Sequence, residues 1–138
     1  VFLVNDQEAR DITGCWNLAR ASRALLNMGP AAVVVKKGEH GAMLATKNGF
    51  FSVSGFPCEV INDPTGAGDS FAGGFVGYLS SCGSIDYRHL KKASVYGCVM
   101  GSLNVEAFGP SRLMNANRQE LDERYRDFFR LTSFEEQP

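Results

Sequence analysis

Residues 63–74 read Asp63-Pro64-Thr65-Gly66-Ala67-Gly68-Asp69-Ser70-Phe71-Ala72-Gly73-Gly74, and this stretch decides how the chain is read. Two glycines and an alanine stand just ahead of Asp69, and an apolar, helix-compatible run over 71–79 follows at once. Glycine leaves room for a ligand to approach the backbone. Successive amides at such a loop, leading into a helix N-terminus, aim their donors at one spot and favour negative charge there. A carboxylate beside an anion hole works against it unless it takes a proton. An anion hole next to a base is what moving a phosphoryl group onto an alcohol requires. Taken alone, the same run also reads as a glycine-rich turn capping a helix, with Asp69 an ordinary first-turn acid.

Outward from that loop, strands and helices alternate. Residues 1–4 are a short uncharged strand, 7–13 a short helix and 15–28 a longer helix with Trp16, Leu18, Ala19, Leu25 and Leu26 available for its apolar face. Gly29-Pro30 stops that helix, and 31–35 is an apolar, β-branched run suited to a parallel sheet covered on both faces. Lys47-Asn48-Gly49 between 42–46 and 50–53 predicts a hairpin. Residues 55–64 are irregular. Helices are expected over 66–81, 86–102 (Asp86 as N-cap) and 117–131, with a frayed polar tail over 133–138. This alternation argues for an α/β layered fold, in which ligands bind beyond the carboxyl ends of the strands. The loops at Asn5, Gly38 and Gly66 are placed to converge there.

Size and charge bound the reading. The chain has 138 residues, enough for one domain with a core. Its apolar content is 44% and its charged content 21%, ordinary for a soluble globular protein. A net charge of -1 without a basic run argues against a nucleic-acid partner. No apolar stretch approaches the ~18 residues of a membrane span, and the first residues lack the features of a signal peptide. Cys15, Cys58, Cys82 and Cys98 are scattered without metal-ligand or disulfide spacing, as reduced thiols of a cytoplasmic protein would be.

Three constellations carry chemistry. Asn5 and Glu8 stand three apart after a strand and share one face of a helical turn. They suit Mg²⁺ held through water, and equally a helix start with Asn5 as N-cap and Glu8 in the first turn. Lys36-Lys37-Gly38-Glu39-His40-Gly41 follows a strand; its glycines let amides approach a ligand, and Lys37 either neutralises phosphate charge or is merely solvated. His40 reads as an exposed loop residue, and His89 carries no assigned function. Asp63 and Thr65 place a carboxylate and a hydroxyl two apart, which side-chain hydrogen bonds alone would explain as a turn.

The pattern Asp63-x-Thr65-Gly66-Ala67-Gly68-Asp69-x-Phe71-x-Gly73-Gly74 closely resembles the C-terminal signature of the PfkB (ribokinase-like) family of carbohydrate and nucleoside kinases. Asn5-x-x-Glu8 resembles the family's Asn-x-x-Glu motif, in the right order. Residues 33–42 resemble the segment that lines its nucleotide site, 95–102 the helix beside the adenine, and 102–109 its closing loop. The likeness runs from about residue 1 to about residue 112. It implies a three-layer Rossmann-like ribokinase-type sheet with flanking helices, C-terminal portion only, plus a small hairpin. Residues 1–138 would then be the nucleotide-binding and catalytic portion, without the N-terminal substrate and lid portion.

The resemblance further implies ATP and Mg²⁺, with a sugar or nucleoside as acceptor. Asp69 would be the general base, and the amides of Gly66, Ala67 and Gly68 the anion hole. Asn5, Lys37, Gly38, Gly41, Gly66 and Gly68 would face the nucleotide, Glu8 and Asn5 would hold Mg²⁺ through water, and Asp63, Thr65 and Ser102 would neighbour K⁺. Small residues over 95–102 would leave room for a base. A chain of this extent is expected to self-associate or to pair with a missing N-terminal half. A non-catalytic nucleotide-binding or structural fragment, and an anion-binding regulator, are the alternatives.

Overall fold

Strand β2 (Ala32–Lys36) organises the molecule. Its first four residues are buried, because successive side chains leave the sheet on opposite sides and both sides are covered. Ala32 and Val34 face one core, shared with helices α3 (Ala67–Cys82), α4 (Tyr87–Asn104) and α6 (Arg118–Thr132). Val33 and Val35 face a second core with helices α1 (Asp6–Thr13) and α2 (Leu18–Asn27). The computed structural model, which describes residues 1–134, is therefore three layers deep. The part of the expected tail over 135–138 lies outside the described residues.

The sheet has four strands in the order β1-β2-β3-β4. Strand β1 (Phe2–Asn5) pairs parallel with β2, while β3 (Ala42–Thr46) and β4 (Gly49–Val53) extend it antiparallel through the expected hairpin. The sheet is mixed rather than wholly parallel, because a short hairpin can return the chain only antiparallel. Register sets Asn5 opposite Lys36 at the carboxyl ends of the two parallel strands.

Two local expectations are corrected. The helix expected over 15–28 begins at Leu18, since Asn17 Oδ1 accepts from the Arg20 amide at 3.0 Å and fixes the start there. Trp16, expected on the apolar face, is 81% exposed and lies against the Arg10 guanidinium, 4.7 Å from the ring centre. Ala19 is exposed as well, and Ala21, Ser22 and Leu25 form the buried stripe. Two short elements went unforeseen: a 3-10 turn over Gly38–His40 and helix α5 (Ser111–Asn115).

Helices α3 and α4 pack closely through small residues. A Cβ at Gly74 would meet the Tyr96 carbonyl oxygen at 2.6 Å, and one at Gly97 the Phe71 ring at 2.8 Å. Gly97, expected to leave room for a base, instead seats Phe71. Phe75 and Phe128 are buried to within 1% and anchor this core; truncating either to alanine costs about 3–5 kcal/mol.

Candidate active site

Among the described residues, the five helices of eight residues or more differ in how their starts are closed. Helices α1, α2, α4 and α6 are each capped by an Asn or Asp side chain: Asn5, Asn17, Asp86 and Asn117. Helix α3 starts on Gly66, in the left-handed region at φ 81°, with no side-chain cap. The Ser70 amide donates to Gly66 O at 2.9 Å, and the Ala67 amide to Pro64 O at 3.2 Å. Among the described residues the amides of Gly66, Gly68 and Asp69 have no acceptor, so they are the donors free for an anion. This corrects the expectation for Ala67, whose amide is spent in the turn before the helix.

Lys36 completes the positive locus. Its ammonium lies 3.1 Å from where a Cβ on Gly68 would stand, so Gly68 leaves room for the lysine to reach the helix start. Sequence reasoning selected Lys37 instead. The usable signal was strand alternation, since Lys36 shares its face with Ala32 and Val34, toward α3. Lys37 lies past the end of β2; the buried Cys98 thiol on α4 is pushed up to about 12 by burial, with the Lys37 charge pulling the other way. Asp69 is exposed in the first turn of α3, beside the open amides.

Asn104 was also missed. Its side chain donates to Thr65 O at 2.8 Å and accepts from the Ser70 hydroxyl at 3.0 Å, so it ties the last turn of α4 to both sides of the glycine loop. Nothing in its local sequence marks it, because the partners are 34 and 39 residues away. Asp63 closes the turn before the loop, accepting from the Thr65 amide at 2.9 Å and the Gly109 amide at 3.4 Å. Hydrogen bonds from Thr65, side chain first and then amide, and from the Gly109 amide hold its carboxyl below the usual aspartate range.

Ser102 is not part of that turn. Its buried hydroxyl donates to Val99 O at 2.8 Å and accepts from Arg124 at 3.1 Å. A fixed guanidinium at that distance disfavours this hydroxyl as a K⁺ ligand. Gly41 also serves differently from expectation. Its amide donates to Gly38 O at 3.1 Å, and a Cβ there would stand 2.1 Å from the Val53 carbonyl oxygen. With φ at 86°, Gly41 lets the loop cross its own chain rather than a ligand. Gly38 opens to free space.

Asn5 and Glu8 form a reciprocal capping box. The Glu8 amide donates to Asn5 Oδ1 and the Asn5 amide to Glu8 Oε2, each at 2.7 Å. Glu8 Oε1 keeps no partner among the described residues, which contain no group of three or more His, Cys, Asp or Glu able to enclose a metal. Such a donor set fits Mg²⁺ that keeps its water shell and leans on one carboxylate. Register places Asn5 beside Lys36, and Lys36 reaches Gly68, so the ends of β1 and β2 and the start of α3 meet in one place.

A family model described as pfkB family carbohydrate kinase matches residues 1–117. The chain belongs to the pfkB family. It is 43% identical over 78 residues to cytidine kinase of Thermococcus kodakarensis, covering 55% of this chain and 28% of that protein. Aminoimidazole riboside kinase from Salmonella enterica, solved with aminoimidazole riboside and an ATP analogue, superposes with a TM-score of 0.76 at 27% identity, over 95% of this chain and 41% of that one. Fructokinase from Vibrio cholerae, solved with fructose, ADP and calcium, gives 0.77 at 27% identity, over 88% and 39%. The chain thus spans well under half of the kinases it matches. These pfkB relatives have the ribokinase-like α/β fold, and the mixed sheet with helices on both faces is that fold here.

Proposed function

We propose that this chain is the nucleotide-binding and catalytic portion of an ATP-dependent kinase that phosphorylates a hydroxyl of a sugar or nucleoside. The observation that carries the reading is the uncapped start of α3, with three free amides, the Lys36 ammonium and the Asp69 carboxylate together. The amides of Gly66, Gly68 and Asp69, with Lys36, would hold charge on the transferring phosphoryl group. Asp69 would orient the acceptor hydroxyl and take its proton. Gly38 would lie along the nucleotide, and Asn5 and Glu8 would hold Mg²⁺ through water. When bound, that ion supplies charge neutralisation at the phosphates. Asp63 and Thr65 would neighbour K⁺.

The test is phosphoryl transfer from Mg·ATP to a panel of sugars and nucleosides by the full-length protein that carries this chain. Acceptor-dependent ADP release supports the reading, and its absence across the panel removes it. Mg²⁺ titration of Glu8→Gln checks the metal role, since an unchanged curve leaves Glu8 as a capping residue only.

The chain's short span of its relatives favours a second reading, in which the 138-residue chain alone is silent and needs a partner. The outer edge of β1 is unpaired among the described residues, and Phe2 on it and Val1 just before it are 38% and 50% exposed. Open strand edges recruit other strands. Sedimentation of the isolated chain as a stable monomer that also turns over ATP with an acceptor would defeat this second reading.

A further inference from the structure

Helix α6 lies beyond residues 1–117, where the family model matches, yet it is wired to the glycine loop. Arg124 on α6 is mostly buried, with 15% of its side chain exposed. Its guanidinium donates to a Glu106 carboxylate oxygen and, at 3.1 Å, to the Ser102 hydroxyl. It also lies 4.2 Å from the centre of the Phe56 ring, which packs on Phe128 of the same helix. Arg112 donates to the other Glu106 oxygen at 2.9 Å and reaches Glu120 of α6 at 2.9 Å.

The segment so held, 102–109, is the one on which the turn before the glycine loop hangs. The amides of Asn62 and Asp63 both donate to Val105 O, at 2.8 and 3.3 Å. The Asn62 side chain donates to Glu106 O at 2.6 Å, and the Gly109 amide to Asp63 Oδ2 at 3.4 Å. A charge at Arg124 is thus two hydrogen-bonded steps from the residues that set Gly66.

We propose that Arg124 is a positioning residue: through Glu106 it fixes segment 102–109, and through that segment it sets the Asp63–Gly66 turn and the open start of α3. The consequence for nucleotide rests on the function proposed above; the mechanical coupling does not. Burial by itself would raise the Glu106 carboxyl, but hydrogen bonds from Arg124 and then Arg112 outweigh it and hold the group below the usual range. Glu106 therefore stays charged through neutral pH and keeps both arginines in place. A planar fork suits this geometry, and a lysine would keep the charge while losing one of the two bonds.

The test uses the full-length protein and two readouts, with Arg118→Gln as a control. Arg118 is on the same helix, with 76% of its side chain exposed, and among the described residues its ion pair is with Asp122. Hydrogen exchange is read without nucleotide at the amides of Asn62, Asp63 and Ser70, against those of β2. Arg124→Gln should speed the first set about tenfold and leave β2 unchanged, Arg124→Lys should restore part of the protection, and the control should change neither. Glu106→Gln, which keeps the shape of the site, should reproduce the Arg124→Gln pattern, and the double variant should add little to either. ADP titration should then show Arg124→Gln binding roughly tenfold more weakly. Unchanged exchange at the turn, an equal rise in β2, or a loosened turn with parental ADP affinity would each overturn the proposal. A parent that binds no ADP overturns the kinase reading instead, and the exchange data still decide the coupling.

Discussion

Helices α1 and α3 both start at the same end of the sheet, and their first turns are built in opposite ways. At α1, Asn5 and Glu8 satisfy each other's amides, and the helix start is closed by its own side chains. At α3, Gly66 offers no side chain, and three amides are left to whatever arrives. Closing a helix start with Asn contributes roughly 1 kcal/mol. Leaving one open forgoes that and keeps a site where negative charge is welcome. The same few atoms thus serve stability in one place and, on the function proposed above, recognition in the other.

The largest expected effect separates Asp69 from the loop that carries it. Asp69→Asn keeps a side chain of the same shape at the open helix start and removes proton acceptance. In the full-length protein kcat should fall by roughly 10²-fold or more, with ADP affinity nearly parental. Steady-state turnover beside an ADP titration checks it. Near-normal turnover would make α3 only an anion site, with no base.

Closing α3 as α1 is closed should come next in size. Gly66→Asp places a carboxylate among the free amides, and aspartate tolerates the left-handed conformation better than most residues. Nucleotide affinity should fall about tenfold, while melting changes by no more than a few degrees. If affinity survives, the open amides are not where the phosphates bind.

What could be read from the chain follows the same division. The loop 63–74 was legible because its chemistry is contiguous, and the strand and helix alternation showed through short uncharged runs. The capping role of Asn5 and Glu8 was legible as one of two readings, and the geometry now shows the box while leaving the carboxylate's other oxygen free. Lys36 lost to Lys37 because a dipeptide gives no direction until the strand's alternation is applied. Asn104, Arg124 and Glu106 act across 18 to 39 residues, and no local pattern announces contacts made by folding. Gly41 looked like a ligand glycine, but its missing side chain accommodates Val53.

Opening α1 should have a smaller effect, read here on stability. Asn5→Ala removes the acceptor for the Glu8 amide and should lower the unfolding free energy by about 1 kcal/mol. Denaturant melts of the parent and variant measure it. A neutral result would mean that water caps α1 as well as Asn5 does, and the contrast with α3 would lose its energetic side.

Acid supplies the smallest and most selective break. Helix α6 starts on a box like that of α1, Asn117 with Glu120, and Glu120 also accepts from Arg112. The hydrogen bond from Arg112, then that from the Asn117 amide, holds the Glu120 carboxyl below its usual 4.5. A depressed folded value means that the contribution is complete above 4.5 and is lost as pH falls through the lower folded value. Helix α3 has no capping carboxylate to protonate at its start. Amide resonances of Asn117 and Glu120, followed from neutral pH to about 3, should move together and begin to exchange faster, while that of Ser70 keeps its protection. Simultaneous loss at Ser70 would show that acid unfolds the whole domain, that the turn closed by the Asp63 carboxylate opens, or that the Glu106 bridge between α6 and the glycine loop fails first. Glu106→Gln, which removes the titrating group from that bridge, separates the last outcome from the other two, because it shifts the Ser70 midpoint only if the bridge is the cause.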